Sequence, residues 1–149
     1  PGGFTDAVLA DLDAFLIDHA ACERKASALA LSLVTHYPDR RELVRAMVEL
    51  AQEELAHFAQ VAAILDARDI LMGPDEKDPY VGALLKLRRK GTDGYFLDRL
   101  LLAGIIEARG CERFQLVSDA LPQGELKDFY KELARAEARH HALFVRLAQ

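Results

Sequence analysis

The chain has 149 residues, 51% of them hydrophobic and 29% charged, with a formal net charge of −5. That length and apolar share suffice for one sizeable core, so a single domain over residues 1–149 is expected. No apolar run approaches the ~20 residues needed to span a bilayer, and no basic start leads into an apolar leader segment, which points to a soluble, cytoplasmic protein without a membrane role.

Alanine, leucine, glutamate and arginine dominate, and β-branched residues do not cluster, so the chain reads as all-helical. Cys22 and Cys111 form no CxxC pattern, which excludes a zinc knuckle or rubredoxin-like iron site; both are expected as reduced thiols in the core.

Four long amphipathic stretches follow in order. The first is expected from about Thr5 to His36, with Thr5 or Asp6 as its N-cap and Pro38 just past its end. The second runs from near Asp39 to about Ala67, before the break at Gly73-Pro74. The third starts near Thr92 or Asp93 and ends at about Ala120, ahead of Pro122; the fourth runs from about Gly124 to the last residue. Its pattern is still running at Leu147-Ala148-Gln149, so a C-terminal extension is expected.

Short links join the first stretch to the second and the third to the fourth, so each pair predicts an antiparallel hairpin. The connector from Arg68 to Gly91 is longer. It is expected to hold a short helix with Asp78 as cap, Pro79 at its first position and Gly91 behind its last turn. The predicted architecture is a ferritin-like four-helix bundle of two antiparallel hairpins with a long crossover containing a short helix.

The second and fourth stretches repeat each other at a constant offset. Glu42, Leu43, Glu49, Leu50, Ala51, Glu54, His57 and Ala59 recur as Glu125, Leu126, Glu132, Leu133, Ala134, Glu137, His140 and Ala142. Each copy carries a Glu-x-x-His pair, which puts a carboxylate and an imidazole on one helix face. Read at alternating steps of three and four, the inward seams are Leu43, Met47, Leu50, Glu54, His57, Val61, Ile64 and Leu126, Tyr130, Leu133, Glu137, His140, Phe144, Leu147. The first helix gives Leu16, Ala20, Glu23, Ser27, Ala30, Val34, and the third gives Leu97, Leu100, Gly104, Glu107, Cys111, Phe114.

Four glutamates on apolar seams would repel one another and pay a large desolvation cost, so bound cations are expected. Four carboxylates and two imidazoles without a thiolate suit iron or manganese better than structural zinc. The expected ligands are Glu23, Glu54, His57, Glu107, Glu137 and His140, with no catalytic residue beyond them. Adding the four positive charges of two divalent ions to a net charge of −5 leaves about −1, so an anionic partner is not excluded.

A lone Glu-x-x-His is usually a surface glutamate beside an ordinary histidine; two copies in a repeat, matched by two further seam glutamates, are not. Glu112 competes with Glu107, because Cys22-Glu23-Arg24 resembles Cys111-Glu112-Arg113. Level decides for Glu107. Glu23 and Glu107 each lie 15 residues before a hairpin proline, Pro38 and Pro122, and residues five apart point about 140° from each other.

His141, about 100° from His140 around the helix, is expected at the surface or behind a ligand. His19, one turn before Glu23, fits support of Glu23 or of the substrate cavity, or plain helix packing. Tyr130 reads as core. Ala20, Ser27, Gly104 and Cys111 either open a pocket or allow close packing. The densest basic run is Lys86, Arg88, Arg89 and Lys90, with Arg40, Arg41 and Arg45 as a second group; such runs are commonly solvated surface, and the alternative is contact with nucleic-acid phosphates.

The segments IDHAACERKASALAL (17–31), LAQEELAHFAQV (50–61), ARDI (67–70), GIIEARGCERF (104–114) and DFYKELARAEARHHALFVRLA (128–148) together resemble the MiaE family of diiron tRNA hydroxylases. The resemblance implies two iron ions, O2 as cosubstrate and an external electron donor. It also implies hydroxylation of the isopentenyl group of 2-methylthio-N6-isopentenyladenosine, with the tRNA anticodon arm docked on Lys86, Arg88, Arg89 and Lys90. An electron-transfer partner follows, because no flavin, nicotinamide or iron–sulfur motif is present. A monomer or dimer fits this reading, whereas a large cage would fit the alternative, a ferritin- or rubrerythrin-like protein that stores iron or reduces peroxide.

Overall fold

A computed structural model describes residues 2–149. Every regular element among them is helical: α1 (Gly2–Ala10), α2 (Leu12–His36), α3 (Arg41–Ala67), α4 (Pro79–Leu85), α5 (Thr92–Ala120) and α6 (Glu125–Leu147). No described helix is long and apolar enough to cross a membrane.

The single first helix expected from the sequence is instead two. Thr5 and Asp6 lie inside α1, and the chain leaves helical geometry at Asp11, whose φ of −144° and ψ of 74° start a new helix. Its carboxylate accepts a hydrogen bond from the Ala14 amide at 3.0 Å, satisfying one of the amides that a helix start leaves without a carbonyl. Replacing Asp11 by alanine is therefore expected to cost about 1 kcal/mol of stability, read as a lower thermal midpoint with no loss of total helix by circular dichroism.

The described chain divides into two compact units, Ala10–Asp75 and Glu76–Gln149, the latter joined by α1 up to Leu9. In the first unit α2 and α3 form a hairpin across a four-residue turn. Arg68, the C-cap of α3, donates from Nη2 to Asp13 Oδ1 at 2.6 Å, tying the end of α3 to the start of α2. Arg24 and Lys25 bond Asp75 at 3.2 and 2.8 Å, and Lys25 above all holds that carboxyl below its ordinary range. Leu16, Ala20, Leu33, Met47, Val61 and Leu65 are fully or almost fully buried.

In the second unit α5 and α6 form the matching hairpin, again with a four-residue turn. Lys127 organises that turn. Its ammonium donates to the carbonyls of Ser118, Asp119 and Leu121 at 2.6, 3.3 and 3.2 Å, supplying charge and donors where the end of α5 exposes unpaired acceptors.

The connector helix α4 has the expected cap, Asp78, which accepts from the Tyr80 amide at 2.8 Å, and the expected Pro79 at its first turn. It ends at Leu85, well short of Gly91, which caps the start of α5 at φ 104°, a conformation only glycine adopts freely. Arg109 of α5 holds α4: its Nη1 donates to Asp78 Oδ2 at 2.8 Å, and its guanidinium lies 4.2 Å from the Tyr80 ring centre. Burial alone would raise the Asp78 carboxyl, but the Arg109 hydrogen bond and charge outweigh it and hold it below the ordinary range.

Candidate metal centre

Each hairpin carries carboxylates and an imidazole of the kinds that can ligate a metal ion. On α2 and α3, Glu23 and Glu54 are 2% and 1% exposed, and His57 is half-buried beside them. One ligand atom from each of the three lies within 4.8 Å of the others. His57 Nδ1 is 3.3 Å from Glu54 Oε2 and 3.7 Å from Glu23 Oε2. Its Nε2 faces outward to the Glu53 carboxylate at 4.0 Å.

Close helix contact builds this arrangement. Ser27, one turn past Glu23, donates its hydroxyl to the Ala51 carbonyl of α3 at 2.9 Å. The small side chain thus serves close packing between the two ligand-bearing turns.

The three groups are electrostatically coupled. Burial works against a charge on His57, but the hydrogen bonds and charges of Glu23 and then Glu54 outweigh it and raise its pKa to about 9. Without metal, the imidazolium supplies positive charge between two buried carboxylates. A divalent cation fits the same demand, and two carboxylates with one imidazole are a suitable donor set for iron.

On α5 and α6, Glu107, Glu137 and His140 are buried. His140 Nδ1 lies 3.5 Å from Glu107 Oε2, matching His57 with Glu23 in the first hairpin. Glu137 packs against the backbone of α5 at Gly110, where an added Cβ would stand 3.0 Å from Glu137 Oε2. Glu112 is exposed, so geometry favours Glu107 over it.

The neighbouring residues fall into place. His141 Nδ1 bonds the Gly104 carbonyl at 2.7 Å, a tie between helices that directs its ring away from ligation. A Cβ at Gly104 would meet Phe144 at 3.4 Å and His141 Nδ1 at 3.7 Å, ordinary contact distances. Tyr130 is fully buried, with ring contacts to Phe114 and Phe129 at 5.5 and 5.4 Å. The cysteine expectation needs correcting: both thiols are reduced, but Cys22 is exposed and Cys111 half-buried, because Cys22 neighbours Glu23 on the outward side of α2. His19 takes the supporting alternative that the sequence allowed it: buried, it places Nε2 2.6 Å from Glu23 Oε1.

The basic run is unevenly available. Arg89 is paired with Asp98, whose carboxyl its hydrogen bonds hold below the ordinary range. Arg88 donates to the Tyr95 hydroxyl and the Leu85 carbonyl. Lys86 and Lys90 are exposed.

A family model described as tRNA-(MS[2]IO[6]A)-hydroxylase (MiaE) matches residues 4–149. The chain belongs to the MiaE family. Among its relatives, the tRNA 2-(methylsulfanyl)-N(6)-isopentenyladenosine(37) hydroxylase of Pseudomonas putida is 38% identical over 148 residues, which cover 99% of this chain and 72% of that one. The enzyme of the same name from Salmonella typhimurium is 36% identical over 132 residues, 89% of this chain but 48% of the relative. A solved structure, protein 43 with aldehyde deformylating oxygenase activity from Synechococcus, superposes with a TM-score of 0.93 at 38% identity, covering 97% of this chain and 72% of its own. With that likeness, the MiaE chain has the all-α, ferritin-like fold expected from its sequence, with two hairpins and a connector helix.

Proposed function

We propose that residues 1–149 act as one ferritin-like diiron domain, an O2-dependent monooxygenase that hydroxylates the isopentenyl group of 2-methylthio-N6-isopentenyladenosine in tRNA. The observation that carries this reading is the family match over residues 4–149 on a chain whose two hairpins each hold buried glutamates and a histidine. The iron ligands in this reading are Glu23, Glu54, His57, Glu107, Glu137 and His140.

Two ferrous ions bound there would supply the electrons for cleaving O2, one oxygen atom entering a C–H bond and the other leaving as water, with an external donor restoring the ferrous state. The chain's own contribution is different. Its carboxylates balance the ionic charge, His57 gives up a proton on metal binding, and buried apolar residues of the same helices, such as Leu16, Met47, Val61, Leu100 and Phe144, keep the interior dry. The substrate base turns outward from the anticodon arm to reach such a centre. The enzyme works in the cytoplasm, where tRNA is modified.

The decisive assay supplies iron, reductant, O2 and tRNA bearing the prenylated adenosine, followed by digestion and nucleoside mass spectrometry. Gain of one oxygen atom on that nucleoside is expected; a metal-loaded protein that leaves it unchanged defeats the assignment. The aldehyde deformylating oxygenase activity named for the Synechococcus relative favours a second reading, oxygenation of an aldehyde. An aldehyde arm in the same assay separates the two. Iron storage or peroxide reduction predicts neither product, and storage requires a cage that size-exclusion chromatography would reveal.

On the docking side, Lys86 and Lys90 are the phosphate contacts of choice, because Arg89 is offset by Asp98. Changing both lysines to alanine is expected to lower the slope of log affinity against log salt by about 2. Binding of tRNA measured across a salt series checks this, and an unchanged slope moves the docking surface elsewhere.

A further inference from the structure

His19 does not belong to the repeat that defines the ligands. Glu23 and Glu107 occupy matching levels in the two hairpins, and four residues earlier the matching positions are His19 on α2 and Ala103 on α5. Both are buried, His19 with no exposed side-chain area and Ala103 at 2%. One hairpin therefore places a polar ring behind its glutamate, where the other places a methyl group.

The ring is in strong hydrogen-bonding range. His19 Nε2 lies 2.6 Å from Glu23 Oε1, and because a carboxylate only accepts, the imidazole N–H donates. The other oxygen of the same carboxylate, Oε2, is the one that faces His57 Nδ1 at 3.7 Å. The two oxygens of Glu23 thus have separate partners on opposite sides.

Resting on the diiron reading, we infer that His19 is a positioning residue that reserves Glu23 Oε1 and leaves Oε2 alone to bind metal. Glu23 is then a one-oxygen ligand. Glu107, with Ala103 behind it, is under no matching constraint and can use both oxygens. An ion held through Glu23 would therefore have one oxygen of that carboxylate available, where one held through Glu107 would have two, so the two positions would be inequivalent. A hydrogen bond behind a metal ligand fixes its orientation, and its loss commonly lowers metal affinity 10–100-fold, to order of magnitude.

The test titrates metal-free protein with Co(II), following visible absorption, for wild type, His19→Leu and His19→Gln. Glutamine can still donate to Glu23 Oε1, whereas leucine fills the space without a donor. Expected in His19→Leu is a loss of about 10–100-fold in affinity for one of the two ions, with a weakened ligand-field band for that ion as Glu23 becomes free to chelate. His19→Gln restores both, and the second ion is unchanged throughout. Thermal melts of the three metal-free proteins separate this from misfolding. Equal weakening of both ions, or no recovery in His19→Gln, assigns His19 to packing and overturns the inference. A pair of ions bound identically in His19→Leu also removes it, while leaving the diiron reading intact. A wild-type chain that takes up no pair of ions removes that reading and the inference together.

Discussion

Replacing Glu54 by glutamine is expected to give a chain that is more heat-stable without metal and inactive with it. In the metal-free hairpin, Glu23 and Glu54 share the positive charge of His57, whose pKa is raised to about 9. Two buried carboxylates outnumber the one imidazolium beside them, and concentrated negative charge is costly where Glu54 is only 1% exposed. Glutamine at position 54 keeps the shape, removes the surplus charge and leaves Glu23 to pair with His57. The metal-free variant should gain roughly 1–3 kcal/mol, the scale on which buried charges are relieved, corresponding to a thermal midpoint several degrees higher.

Metal reverses the order. A cation bound a thousandfold above its dissociation constant stabilises the native chain by about 4 kcal/mol, and the variant forfeits most of that with a ligand gone. Because the metal supplies the oxygen chemistry, its loss should lower turnover by about a thousandfold or more. Melting curves of chelator-treated and iron-loaded forms, with iron counted per chain, test both halves. A metal-free Glu54→Gln protein that melts below wild type would show that Glu54 contributes to packing and that its charge is already balanced.

That trade between stability and chemistry is also why the buried glutamates were legible in the sequence. A seam of leucines broken by glutamate has no purpose in folding, so Glu54 and Glu137 stand out wherever the helical period can be followed. The equal 15-residue distance from Glu23 to Pro38 and from Glu107 to Pro122 set the level of Glu107 against Glu112, because matched turns impose matched heights.

What escaped was decided by local competition or by packing. Asp11 reads equally as an exposed helix residue or a cap, and its side chain took the Ala14 amide, splitting the first helix where the apolar period gives no sign. The seam of α3 also slips at its end: Leu65 is buried and Ile64 half-buried. Steps averaging 3.5 residues suit a supercoil, whereas in a straight helix Leu65 returns to within about 40° of the line through Leu43, and Ile64 falls about 60° short. His19 was visible as a residue one turn from Glu23, but only its burial and ring orientation tell that it donates to the carboxylate.

Gly110→Val should empty the α5–α6 half of the centre while leaving the fold in place. In a helix interior, replacing glycine by alanine ordinarily stabilises by about 1 kcal/mol, because the unfolded chain loses freedom. At Gly110 that gain meets an obstacle, since the new Cβ would lie 3.0 Å from Glu137 Oε2 and 3.1 Å from its carboxyl carbon. A carboxylate on a flexible stem can swing aside, so the cost falls on its position more than on the helix. Gly110→Ala should shift Glu137 by a few tenths of an ångström and weaken iron binding, with little change in the metal-free melting temperature. Valine adds two methyl groups in the same space and should reduce iron uptake from two ions per chain towards one, with turnover lost. Gly82→Ala is the control, because a Cβ there meets nothing within 4 Å and only helix propensity changes. If Gly110→Val binds two irons as tightly as wild type, Glu137 needs no space at α5, and its place among the ligands has to be given up.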